Sequence, residues 1–198
     1  MENKRVAERE RKTAETAVSL RIDLDETGVS IETGIPFFDH MLDLFAHHAC
    51  VGLRLEAAGD LGVDYHHLVE DTGITLGEAV REALGNKAGI CRYGFFLLPM
   101  DECLCRCVLD FGNRSFLCYE VPASPPYVRD FNVHLFREFF QAFANAAGAN
   151  VHIQLLYGDE PHHVAEAVFK AFGRAFAEAV RFDPRRRNGI PSTKGSLG

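Results

Sequence analysis

The sequence predicts an α+β protein made of two β-β-α-β-α halves. Their four helices form one layer packed between two mixed β-sheets. Three observations carry this prediction. First, ETAVSLRIDLDETGVSIETGIP from Glu15 and ECLCRCVLDFGNRSFLCYEVP from Glu102 share one plan. Each has an acidic start, an alternating run, a turn, a second short strand and a proline, at Pro36 and Pro122. Second, helical spacing follows each of these stretches. Third, the pattern HHxxE occurs at His66 and again 96 positions later at His162. A repeat of this length points to internal duplication, with both halves in the same order.

Taken along the chain, each alternating stretch reads as a β-hairpin, turning at Asp25–Gly28 in one half and Asp110–Asn113 in the other. A helix then spans Pro36 to Ala49. Proline suits its first position because the missing N–H has no intrahelical partner there. Phe37, Met41, Leu44, Phe45 and His48 keep helical spacing. The matching helix spans about Val133 to Ala147, with Asn132 as its cap. The strands VGLRLEA and ANVHIQLLY follow. The HHxxE helices come last, capped by Asp64 and Asp159 and running to about Leu84 and Arg181. Gly89–Gly94 is a short turn, so residues 1–198 form one domain. Its pseudo-repeats cover about 1–90 and 91–185, and residues 186–198 form a tail.

Composition narrows the function classes. The chain has 198 residues, 47% hydrophobic and 25% charged, ordinary values for a globular protein. A net charge of −7 argues against a nucleic-acid partner, which needs a basic face. No apolar run is long enough to span a membrane, and the charged start lacks the apolar core of a secretory signal. A cytoplasmic location is expected. The six cysteines include Cys103, Cys105 and Cys107, which share one face of a strand. They read as small buried residues of a reducing compartment rather than as a soft-metal cluster.

The histidines carry the chemistry. His66 and His67 open one helix and His162 and His163 another, while His40 and His134 begin the preceding helices. With Glu70 and Glu166 they make two matched sets: His40, His66, His67, Glu70 and His134, His162, His163, Glu166. Adjacent helical residues point about 100° apart, whereas positions i+3 and i+4 share a face. One His of each pair can therefore join its Glu on one metal ion while its neighbour reaches a second. Imidazole with carboxylate suits manganese, iron, zinc, cobalt or nickel. Neutral imidazole also avoids opposing the helix dipole. His48 and His152 are candidates for lining the same cleft, and His47 is an ordinary residue.

The sequence resembles the imidazoleglycerol-phosphate dehydratase family over essentially its whole length. The resemblance rests on GIPFFDHML (34–42), VDYHHLVEDTGITLG (63–77), CRYG (91–94), GDEPHHVAEAVFKAFGRA (158–175) and IPSTKGSL (190–197). The chain departs from the family pattern little: the loop before His134 is a few residues shorter than in some relatives, and the Cys-rich strand is unusual. The resemblance implies a monofunctional hydro-lyase of histidine biosynthesis, converting imidazole glycerol phosphate to imidazole acetol phosphate. It implies two Mn2+ per active site, with the eight residues above as ligands. It also implies a homo-oligomer, a 24-mer cage of trimers with active sites between subunits.

The reaction removes a proton from a carbon beside an imidazole ring, a weak carbon acid. Metal on a ring nitrogen can favour the imidazolate and promote loss of the hydroxyl through a diazafulvene-like intermediate. Glu15 matches a substrate-contacting position and is the first candidate for acid/base work, with His48 and Glu70 for the second proton. Arg92, Arg114, Ser192, Thr193 and Lys194 match positions that bind substrate, and Lys170 adds a point charge on the face of His163 and Glu166. His40, His66, His162 and Glu166 are also expected to contact substrate. The tail therefore reads as an ordered clamp. Arg185, Arg186 and Arg187 read as a solvated run or a subunit contact. A binuclear hydrolase would carry more aspartate, and a metal-storage cage would need no phosphate clamp.

Overall fold

A computed structural model describes residues 4–122, 125–186 and 189–197. The first half comprises β1 (Val6–Lys12), β2 (Thr16–Asp23), β3 (Gly28–Glu32), α1 (Pro36–Ala49), β4 (Gly52–Gly59) and α2 (His66–Leu84). The second comprises β5 (Tyr93–Met100), β6 (Cys103–Asp110), β7 (Phe116–Glu120), α3 (Leu135–Ala147), β10 (Asn150–Tyr157) and α4 (Pro161–Val180). A two-stranded ribbon, β8 (Tyr127–Val128) and β9 (Phe131–Asn132), precedes α3. The four-stranded sheets have orders β1-β2-β4-β3 and β5-β6-β10-β7. Both are mixed: β3 runs parallel to β4 and β7 parallel to β10, while the other pairs are antiparallel.

The α+β class, the two mixed sheets and the four helices agree with the sequence reading, but the strand pairing does not. The expected hairpin partners β2 and β3 are separated by β4, just as β10 separates β6 from β7. The hairpins are β1-β2 and β5-β6. Each half thus opens with a strand the reading lacked. β1, VAERERK, is an edge strand on which charge is tolerated. β5 carries Pro99, which an edge position also accommodates. Alternation reveals that a segment is a strand but not which neighbour it pairs with.

Helices α1 and α2 cover one inner sheet face, α3 and α4 the other, and the layers meet as α1 on α4 and α2 on α3. The contact is built largely from phenylalanine, with Phe38, Phe45, Phe136, Phe139, Phe140, Phe143, Phe169, Phe172 and Phe176 fully buried. Two glycines at equivalent repeat positions let the helices close. A Cβ on Gly77 would stand 2.8 Å from the Phe143 carbonyl oxygen, and one on Gly173 2.8 Å from that of Phe45. Cys103, Cys105 and Cys107 line the inner face of β6 and are buried; all six cysteines are unpaired.

The outer sheet faces differ. The first carries Glu8, Glu10, Arg21, Arg54 and Glu56, and the second exposes Tyr93, Phe95, Leu97 and Phe116. The tail is tied down: the Gly89 N–H donates to the Gly189 carbonyl (2.9 Å) and Asn113 Nδ2 to that of Leu197 (2.7 Å). Among the described residues no helix is long and apolar enough to cross a membrane.

Candidate functional site

Each HHxxE block lies in the first turns of its helix. Pro161 sits at the start of α4, and the Glu160 carboxylate caps it by accepting from the His163 N–H (2.7 Å), a role the sequence reading gave to Asp159. At α2, Asp64 accepts from the His66 N–H (2.8 Å) as expected. At α3, Asn132 accepts from the His134 N–H (3.0 Å).

The packing of α1 on α4 brings His40 of the first half to His162 and Glu166 of the second. His40 Nε2 lies 3.0 Å and His162 Nε2 3.1 Å from Glu166 Oε1. Two donors held about 2.1 Å from one ion at right angles stand about 3 Å apart, so this trio has the spacing of a metal shell. Phe37 packs edge-on against the His162 ring at 5.3 Å and limits its rotation. Lys170 Nζ donates to Glu166 Oε2 at 2.6 Å and touches Met100 Sδ at 3.3 Å. Burial raises the cost of ionising Glu166. The Lys170 and His40 hydrogen bonds, the Lys170 charge and the His162 hydrogen bond outweigh it and hold the carboxyl down at about 2.

The other five candidate ligands do not form a second trio within one chain. His66 Nε2 stands 3.7 Å from Glu70 Oε2. His67 turns away, with Nδ1 3.0 Å from Asp60 Oδ2 and 3.7 Å from Glu15 Oε2. His163 Nδ1 lies 2.8 Å from Glu102 Oε2. The hydrogen bond to Asp60 raises the basicity of His67, and that to Glu102 raises the basicity of His163. The His134 ring is exposed and, among the described residues, makes no hydrogen bond or ion pair with the other seven candidates.

Arg92, Arg114, Ser192, Thr193, Lys194 and Arg186 line a cavity of about 530 Å³. Arg92 is already engaged: Nε donates to Asp110 Oδ1 (2.6 Å), Nη2 to Asp110 Oδ2 (3.0 Å) and Nη1 to the Pro191 carbonyl (2.9 Å). It therefore shapes the pocket by holding the tail. Arg114 and Lys194 are exposed cations at its mouth. The Arg92 N–H donates to the Ala179 carbonyl at the far end of α4. At 1.5 Å per residue, the pocket lies about 20 Å along α4 from Glu166.

Lys170 belongs to the imidazole–carboxylate cluster and lies away from this pocket of its own chain. His48 is half-buried against α4, where burial first, then the charges of His47, Lys170 and Arg174, lower its basicity. His152 does not line the cleft: it stands exposed on the outer face of the second sheet beside Phe116 (5.6 Å), because alternation along β10 turns it away from buried Val151 and Ile153. Arg185 and Arg186 pair with Asp183, whereas Arg187 lies outside the described residues. The sequence reading missed Asp60 and Glu102. Glu102 was legible, since it aligns with Glu15 across the repeat; Asp60 had no such signal.

Fold and site together define a duplicated α+β protein with an imidazole–carboxylate cluster and a separate pocket lined by arginine and lysine. The imidazoleglycerol-phosphate dehydratase family model matches residues 33–176. Imidazoleglycerol-phosphate dehydratases of Rhodopseudomonas palustris (strain TIE-1) and Azorhizobium caulinodans are 50% and 53% identical over 195 residues, covering 98% of this chain and 99% of each relative. The Staphylococcus aureus crystal structure superposes with a TM-score of 0.83 at 36% identity, covering 90% of this chain and 99% of that one. The Pyrococcus furiosus structure gives 0.79 at 35%, covering 96% and 100%. The chain belongs to the imidazoleglycerol-phosphate dehydratase family, hydro-lyases of histidine biosynthesis.

Proposed function

We propose that the chain dehydrates imidazole glycerol phosphate to imidazole acetol phosphate with two manganese ions, at sites shared between copies of itself. The observation that carries the metal reading is the convergence of His40, His162 and Glu166 with donor spacings of 3.0 and 3.1 Å. His66 with Glu70, and His67, His163 and His134, are the remaining donors; those exposed at the surface await a partner's set. When bound, the metal would lower the pKa of the substrate ring and favour its imidazolate. Glu15, exposed and 3.7 Å from His67, is our candidate to take the carbon-bound proton. His48 and Glu70 are the candidates to return a proton to the departing hydroxyl. Arg114, Lys194, Ser192 and Thr193 bind the phosphate in the pocket that Arg92 holds open, and Lys170 adds charge on the cluster side.

Length supports a shared site. Ring and phosphate of the substrate are joined by three carbons, far short of the ~20 Å between cluster and pocket along α4. In this reading a neighbouring copy brings its pocket to this chain's cluster. The exposed aromatic face of the second sheet supports self-association, and a cage of trimers is the assembly we propose. Six unpaired cysteines favour the cytoplasm. Dehydratase activity on imidazole glycerol phosphate, abolished by EDTA and restored by Mn2+, is the expected result. Full activity after complete metal removal rejects the metal reading.

A further inference from the structure

The two histidines of each HHxxE block are held differently. The first presents Nε2 to the block's own glutamate, at 3.1 Å for His162–Glu166 and 3.7 Å for His66–Glu70. The second is gripped at Nδ1 by a carboxylate from outside the block: Asp60 holds His67 at 3.0 Å and Glu102 holds His163 at 2.8 Å. The rings within a pair stand 89° apart for His66–His67 and 83° apart for His162–His163. A histidine whose Nδ1–H donates to a carboxylate is fixed as the tautomer with a free Nε2 lone pair, the form that binds metal.

The gripping carboxylates are not repeat equivalents. Glu102, in the β5–β6 turn, corresponds to Glu15 in the β1–β2 turn; each directly precedes its central strand. In the first half Asp60 takes the histidine, and Glu15 stays beyond hydrogen-bond reach at 3.7 Å. In the second half Glu102 itself takes it. Glu102 is also pinned from behind, because the thiol of buried Cys103 donates to its Oε1 at 3.1 Å. Two other carboxylates approach the His163 ring. Glu160 is 3.8 Å from Nδ1 and occupied as the helix cap, and exposed Asp101 is 3.7 Å from Nε2.

We infer that Glu102 is a positioning residue that locks His163 with Nε2 as its metal donor, and that duplication has divided one acidic turn position into two jobs. Glu15 stays free for proton transfer, whereas Glu102 is committed to orienting a ligand. This inference rests on the two-metal reading above.

The test is Mn2+ titration of the metal-stripped full chain, with free Mn2+ followed by electron paramagnetic resonance. The proteins compared are the wild type, Glu102→Leu, Glu102→Gln, His163→Ala and the Glu102→Leu/His163→Ala double variant. Glu102→Leu is expected to weaken one class of sites about 10–100-fold and leave the other unchanged. Glu102→Gln, whose amide oxygen still accepts from Nδ1–H, should weaken it less, and the double variant should bind no worse than His163→Ala. Wild-type Mn2+ binding by Glu102→Leu overturns the inference and leaves the two-metal reading standing. So does equal weakening of every site in both Glu102 variants, the mark of a general structural role. A wild-type chain that binds no Mn2+ overturns both.

Discussion

Glu166 concentrates the electrostatics of the cluster: two imidazoles meet one oxygen and a lysine the other. Its carboxyl sits at about 2 in the folded chain against an ordinary 4.5. The folded-state pKa is depressed, so in the metal-free protein Glu166 contributes stability that is present above pH ~4.5 and lost as pH falls through ~2. Glu166→Gln should remove on the order of 1–3 kcal/mol at neutral pH and flatten the acid limb of the stability profile, measured by urea unfolding after chelation. An unchanged acid limb would mean that the ion pair with Lys170 contributes nothing net. The sequence made Glu166 and its histidines visible because i, i+4 spacing is a local property. The meeting of His40 with them was not visible, since it depends on how α1 lies on α4. The grip on His163 was hidden for the same reason, Glu102 being 61 positions away.

Elements were legible where their period is long and their ends are marked. Helix α1 begins at Pro36 and ends at Ala49 as its spacing predicts, and α2 and α4 end within a residue of expectation. Edge strands β1 and β5 were missed, and the other sheet strands were legible as strands but not as neighbours, because pairing is set by where a crossover helix returns the chain. The helix layer also depends on close approach, with Gly77 facing the Phe143 carbonyl and Gly173 that of Phe45. Gly77→Ala would place its methyl 2.7 Å from the Ala146 Cβ, so α2 and α3 must separate. The expected cost is about 1–3 kcal/mol in chemical denaturation, despite alanine's better helix propensity. Gly85→Ala makes a poor control because Gly85 has positive φ (53°), whereas Gly62 has open space and negative φ. Gly62→Ala should leave stability unchanged.

At the scale of the whole molecule, the two halves share a fold but not a surface. The first outer sheet face is charged, whereas the second exposes Tyr93, Phe95, Leu97 and Phe116, so the self-association we propose has a definite apolar side to use. The separation of cluster and pocket then makes a specific demand on mixed assemblies. Glu166→Gln and Arg114→Ala are each expected to be nearly inactive alone. Co-refolded together, they should recover a measurable fraction of wild-type activity, because some shared sites draw an intact cluster from one copy and an intact pocket from another. No recovery in verified mixed assemblies would place both parts in one chain.

The crossing of His40 to His162 and Glu166 also bears on ancestry. A half-length chain of this design holds a first-helix histidine and an HHxxE helix but cannot bring them together by itself. It could complete the cluster only by meeting a second copy, at a rate and yield set by how much chain was present. Joining the two copies end to end replaced that encounter with a permanent local concentration. It also freed each copy of the site to drift separately, and Glu15 and Glu102 are where that freedom is written in the present chain.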